Sequence, residues 1–140
     1  MKYLKLLLLS SMIGLAQQSK ASHIIGGEIA YACIGPNQYL VTLILYRDCT
    51  SFTPFDNPAY MSIYTQDNVF VDNFTLSSPT ITNIPAESDN PCLDAPDDVC
   101  VEQAIYTATI TVPSGDEGYL LVYQRCCRNA GIVNIETPDD

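Results

Sequence analysis

Cys33, Cys49, Cys92, Cys100, Cys126 and Cys127 are the side chains of this sequence best equipped for chemistry, since thiols can pair as disulfides, ligate zinc or attack as nucleophiles. Zinc needs closely spaced soft ligands, and the chain has no C-x-x-C pair and only one histidine, His23. Nucleophilic catalysis needs a base beside the thiol or a hydroxyl, and a lone histidine near the amino terminus is poorly placed to serve. The expectation is therefore no catalytic set, no metal and no cofactor, with the even number of cysteines forming up to three disulfides.

Some pairings fit the local sequence better than others. A Cys92–Cys100 bridge would pin a loop rich in Asp and Pro that has little apolar surface to fix it. Cys126 and Cys127 are adjacent in an extended stretch, so their side chains point to opposite faces and are expected to bond to different partners, with Cys33 and Cys49 the remaining candidates.

Charge is the second chemical resource. Lys2, Lys5 and Lys20 lie in the first 21 residues, so beyond them only Arg47, Arg125 and Arg128 stand against 16 acidic residues, 3 minus 16 or −13. That balance excludes nucleic acid as a partner, because phosphate binding needs a positive footprint. Each arginine sits near a cysteine, and each is expected to hold structure: pairing with Asp48, Glu28 or Glu102 and donating to loop carbonyls. Arg47, Asp48, Arg125 and Arg128 are the predicted structural ion-pair residues. Asp89, Asp94, Asp97 and Asp98 crowd one loop where oxygen ligands suit calcium, but the D-x-D-x-D-G order is missing and prolines interrupt, so the loop reads as solvated. His23 beside a new amino terminus reads as an ordinary exposed residue rather than a copper or nickel ligand. Asn73-Phe74-Thr75 is a formal glycosylation sequon.

The elements that must position these groups begin after an export signal. Lys2 and Lys5 precede an apolar run from Leu6 to Ala16 that is too short to span a bilayer, and Ser19 and Ala21 place the expected cut before Ser22. A cut after Ala16 is the weaker alternative. Residues 1–21 are thus read as a signal peptide and residues 22–140 as one domain with room for a core. No second apolar stretch long enough to cross a membrane follows.

Within the domain the periodicity is that of strands between Gly, Pro, Asn and Asp clusters. Strands are predicted over 28–34, with Ile29, Tyr31 and Cys33 on one side, and over 39–46, apolar on both faces and therefore central. A hairpin over 60–65 and 69–76 turns at Gln66-Asp67-Asn68 with a bulge near Asp72, and a short strand falls at 80–84. Tyr106, Ala108, Ile110 and Val112 alternate with Thr107, Thr109 and Thr111, the pattern of a strand with one wet face. Strands over 119–127 and 132–135 complete an all-β, immunoglobulin-like two-sheet β-sandwich. Tyr39, Tyr46, Tyr106 and Tyr123 are expected in core or interface packing.

The segments Ser22-His23-Ile24-Ile25-Gly26-Gly27-Glu28-Ile29-Ala30-Tyr31, Leu45-Tyr46-Arg47-Asp48-Cys49 and Gln124-Arg125-Cys126-Cys127-Arg128-Asn129 carry a family likeness. Together with Val99-Cys100-Val101-Glu102 and Gly118-Tyr119, they resemble the amino-terminal region of large Bacteroidetes surface proteins that bear PKD repeats and gliding-motility-associated C-terminal domains. The resemblance covers nearly the whole chain. It implies export by the general secretory route and then type IX secretion, an extracellular cell-surface location, and a role as a structural or adhesive module in adhesion or gliding motility. Expected partners are other domains of the same surface protein or extracellular surfaces. The sequence holds no PKD repeat and no sorting domain, which fits either a leading part of a longer protein or a solitary secreted module that binds a peptide, glycan or calcium.

Overall fold

The computed structural model describes residues 24–51, 53–85, 99–115 and 117–125. The expected signal peptide, His23, the acidic-loop aspartates, Cys92, Cys126, Cys127, Arg128 and the strand expected at 132–135 lie outside the described residues.

Seven strands and no helix make up the described chain: β1 Ile24–Gly35, β2 Gln38–Asp48, β3 Tyr60–Thr65, β4 Phe70–Thr75, β5 Thr80–Ile84, β6 Val101–Thr111 and β7 Tyr119–Val122. They form two sheets, β1-β2-β6-β5 and β4-β3-β7, antiparallel at every pairing.

Local chemistry explains the turns. Pro36 fixes φ at the first corner between β1 and β2, and Asn37 takes the left-handed conformation at φ 57° that the second corner requires. Gln66-Asp67-Asn68 turns β3 into β4, with Asn68 at φ 61° and its amide donating to the Thr65 carbonyl at 3.0 Å. The predicted bulge is present: Ile63 faces Asp72 while Tyr64 faces Phe70, leaving Val71 as the extra residue.

Alternation sets the core. On β2, Val41, Leu43 and Leu45 are buried, and on β6 Ala104, Tyr106 and Ile110 continue the same face. Met61 and Ile63 of β3 meet them from the other sheet, with Phe55, Ala59, Leu76 and Val112 closing the ends. Tyr106, Leu43 and Met61 are among the largest fully buried side chains. Each such residue contributes roughly 1.5 to 3 kcal/mol of apolar transfer. As expected, β2 is central, paired to β1 on one side and β6 on the other.

Strand bounds differ from expectation most in three places. β7, expected over 119–127, ends at Val122, beyond which Tyr123 and Arg125 turn their side chains to Asp56. β1 starts four residues earlier than predicted, since Ile24 is buried and Gly26 and Gly27 pair with Tyr46 and Leu45 in spite of having no side chains to show a pattern. β6 starts five residues earlier than predicted, because Val101, Glu102 and Gln103 pair with Asp48, Arg47 and Tyr46. Backbone pairing to a long central neighbour carries both extensions.

The disulfide differs as well. Cys49 bonds to Cys100, not to Cys126 or Cys127, and Cys100 is not bonded to Cys92. The β2–β6 register is the cause: Asp48 faces Val101, so the next pair outward brings Cys49 and Cys100 to a Cα separation of 5.5 Å, and the Cys49 amide donates to the Cys100 carbonyl at 3.1 Å. Cys33, expected in a bridge, is an exposed free thiol whose Sγ lies 3.5 Å from the Gly35 carbonyl. It stands at the far end of β1 from the disulfide.

Candidate functional site

Two regions place polar or exposed groups together, one at each end of the sheets. At the disulfide end, the segment Thr53-Pro54-Phe55-Asp56 is held at every residue. Arg47, near the end of β2, donates through Nη1 to the Thr53 carbonyl at 2.6 Å and stacks its guanidinium 4.6 Å from the Phe55 ring centre. Its Nε donates to Glu102 Oε2 at 3.1 Å, and Nη2 forms an ion pair with the same oxygen. Register places these two residues directly opposite each other on β2 and β6.

Arg125, three residues beyond β7, reaches the same segment from the other sheet. Its Nη2 donates to the Pro54 carbonyl at 2.8 Å and its Nη1 lies 3.1 Å from Asp56 Oδ1. Tyr123 donates to Asp56 Oδ2 at 2.6 Å, and Tyr106 donates to the Asp56 carbonyl at 2.9 Å. Burial, reinforced by the Asp56 carboxylate, pushes the Tyr106 hydroxyl up to about 12. The same burial, with the hydrogen bond to Asp56, pushes Tyr123 up too.

Of the partners anticipated for Arg47, the structure shows Glu102. Glu28 instead accepts from the Tyr46 hydroxyl at 3.1 Å, and Asp48 accepts from the Thr50 amide and hydroxyl at 2.8 and 2.7 Å in a local turn. Asp56 was missed from the sequence as the partner of Arg125, because nothing in a lone Asp between Phe and Asn marks it. Tyr39, Tyr106 and Tyr123 pack in or against the core. The arginines at this end are spent on backbone carbonyls, carboxylates and a ring, which is a clamp and not a reactive centre.

The other region lies along β1. On the inward face of β1, cover by the second sheet is incomplete at Ile29 and Tyr31. Ile29 and Tyr31, paired with the buried Leu43 and Val41 and sharing their face, are left 39% and 70% exposed. A cleft of about 520 Å³ opens between them and β7. Tyr39, Ile110 and Val112 form its floor, and Leu120 and Leu121 of β7 both line it. Successive strand side chains point to opposite faces, so a wall containing both leucines is the edge of β7. Asn37 and Gln66 supply its side-chain amides, and the Tyr119 hydroxyl at its end donates to the Pro113 carbonyl at 2.9 Å.

Among the described residues no charged side chain lines this cleft, in a chain with 16 acidic residues. A smaller cavity of about 270 Å³ adjoins it at Ile29 and runs past Gly26 and Gly27 to Arg125, with Glu28 as the only acidic residue among its described lining. The aromatic wall is ordered by contact: the Tyr31 and Tyr39 rings meet edge to face with centroids 6.1 Å apart.

Among the described residues, no group of three His, Cys, Asp or Glu side chains is placed to hold a metal ion, and no helix is long and apolar enough to cross a membrane. The cleft was not legible as a site in the sequence, where Ile29 and Tyr31 are expected only to share one side of a strand with Cys33. No protein-family model, curated protein or solved structure matches this chain.

Proposed function

We propose that this chain is an extracellular, non-catalytic structural or adhesive module of a bacterial surface protein, and that its contact surface is the β1 edge with the adjoining cleft. The observation that carries the reading is that edge: twelve residues of paired strand, apolar but for Glu28 and without a strand partner on one side among the described residues, in an otherwise strongly acidic domain. The Cys49–Cys100 bond supports a location outside the reducing cytosol. The sequence resemblance described above supports a cell-surface role, export through the type IX route and a part in adhesion or gliding.

The strand order also supports an immunoglobulin-like assignment. In a constant-type immunoglobulin sandwich, one sheet runs A-B-E-D and the other contains C and F. Here β1-β2-β6-β5 corresponds to A-B-E-D, and β3 and β7 to C and F, with β4 in the C′ position. The conserved strand-B to strand-F disulfide of antibody domains has no counterpart, since Cys49–Cys100 joins the strands corresponding to B and E.

A stand-alone ligand-binding module is the second reading, and the cleft favours it in one respect: its described walls carry no charge, which suits a peptide or glycan better than calcium. The deciding experiment deletes the gene and measures attachment and spreading of the cells on a surface, with rescue by the wild-type chain and by Tyr31→Glu. Loss on deletion, rescue by the wild type and failure of Tyr31→Glu are expected. Attachment and spreading that survive deletion would overturn the adhesive reading.

A further inference from the structure

We propose that the β1 edge binds an extended, uncharged segment of another polypeptide, which pairs along β1 as an added strand and sets alternate apolar side chains over the cleft. This deepens the reading of β1 as a contact surface and rests on it.

Backbone geometry comes first. β1 is an outer strand, bonded to β2 on one side, so along its other side alternate residues present amides and carbonyls without a strand partner among the described residues. Exposed edges are normally blunted by Lys, Pro or inward charge. Between Ile24 and Gly35 there is no Lys and no Pro, and the single charge, Glu28, is engaged by the Tyr46 hydroxyl. Ile25, Ile29, Tyr31 and Ile34 are all exposed along the strand. Edge pairing gives affinity through the backbone, and pockets for alternate side chains give specificity.

Charge then selects the guest. The described lining of the cleft beside Ile29 and Tyr31 carries no charged side chain, while the chain as a whole carries −10. A neutral strand meets no field penalty there, whereas an acidic one is repelled by the domain and leaves its carboxylates against apolar walls. The same charge disfavours a second copy, because two such chains repel each other. Length matters too: β1 spans roughly 40 Å at about 3.3 Å per residue, enough to register a guest of ten or so residues.

The test uses the full chain and a synthetic peptide of alternating threonine and valine with a glutamine at each end and blocked termini. Titration followed by amide hydrogen exchange should show saturable binding, with alternate β1 amides slowed on the order of tenfold or more. Tyr31→Glu, at a site too exposed to upset folding, should weaken binding at least about tenfold, and Tyr31→Phe should retain it. A peptide with glutamates replacing two central threonines should bind more weakly, and the gap should narrow in high salt. Four results would overturn the proposal. These are β1 amides that exchange unchanged with no saturable binding, β1 amides already protected in dilute protein because the chain's own residues beyond 125 cover them, protection that rises with protein concentration as mass doubles, and equal binding of the neutral and acidic peptides. Peptide binding that persists when gene deletion leaves attachment unchanged would defeat the cellular role alone, so the two readings fail separately.

Discussion

Asp56 and Arg125 tie the two sheets together across a segment with no regular structure: the carboxylate accepts Tyr123 on one oxygen and lies 3.1 Å from the Arg125 guanidinium on the other. The arginine side chain is only 11% exposed. An ion taken that far out of water depends on its partner, and removing one member of a buried pair is costly. Asp56 is 36% exposed and keeps Tyr123, so Arg125→Ala is expected to destabilise the domain by only roughly 1 to 2 kcal/mol, and Asp56→Ala by more, because that change leaves the more buried arginine uncompensated. Urea unfolding of both single variants and the double variant checks this, and the double variant should cost clearly less than the sum of the two. An unchanged midpoint for Arg125→Ala would show that the clamp contributes no stability.

The Cys49–Cys100 bond closes a loop with a sequence separation of 51. Chain-entropy arguments give about 4 kcal/mol for a loop of that size. Cys49→Ser is therefore expected to lower the unfolding midpoint strongly, and reductant should do the same to the wild type but not to the variant. Peptide mapping without reduction should recover Cys49 joined to Cys100, and a Cys92–Cys100 peptide would contradict the register of β2 and β6.

Alkali should unfold the protein through two tyrosines. Tyr106 and Tyr123 both have hydroxyls raised above the ordinary value near 10, Tyr106 to about 12. The folded state holds these protons where the unfolded chain gives them up, so their stabilisation is complete below pH 10 and is lost as pH rises through about 12. Stability measured from pH 8 to 12 should fall from pH 10 upward. Tyr123→Phe should flatten that fall, and a slope identical to the wild type would place the alkaline sensitivity elsewhere.

Gly27 is required by close approach. A Cβ there would lie 2.9 Å from the Ile44 carbonyl oxygen and 2.9 Å from Leu45 Cδ2, and the carbonyl belongs to the central strand and cannot move aside cheaply. Gly27→Ala should cost on the order of 1 to 3 kcal/mol, by analogy with overpacking elsewhere, and should speed amide exchange in β1. At Gly26 the nearest atom is Tyr46 Cδ2 at 3.8 Å, so Gly26→Ala should be tolerated. Equal effects at the two glycines would mean that the close approach is not what fixes Gly27.

The local signals in the sequence were strong where side chains alternate or turn chemistry is specific. β3 and β5 fall on their expected residues, and Tyr106 to Ile110 face as their alternation predicts, because burial on one face leaves its mark on every second residue. What one strand's sequence lacks is its neighbour. The pairing of Cys49 with Cys100, of Arg47 with Glu102 and of Arg125 with Asp56 each depends on register or on a loop folding back, over separations of 51, 55 and 69 residues. The same reason hid the cleft. Ile29 and Tyr31 have the right types and spacing for core, and only their exposure in the assembled sheets reveals that no described strand closes over them.

The clamped arginines bear on how long such a domain survives among proteases. Residues 22–140 contain no lysine, so a trypsin-like enzyme has only Arg47, Arg125 and Arg128 to recognise. Two of those side chains are 15% and 11% exposed and already bound to carboxylates and backbone carbonyls. A protease must seat the arginine head in its own specificity pocket, and at Arg47 and Arg125 that requires undoing the contacts that hold the 53–56 segment. Cleavage at these two arginines is thereby tied to unfolding of the domain, so for this class of protease the arrangement that stabilises the fold also conceals two of its three cutting sites.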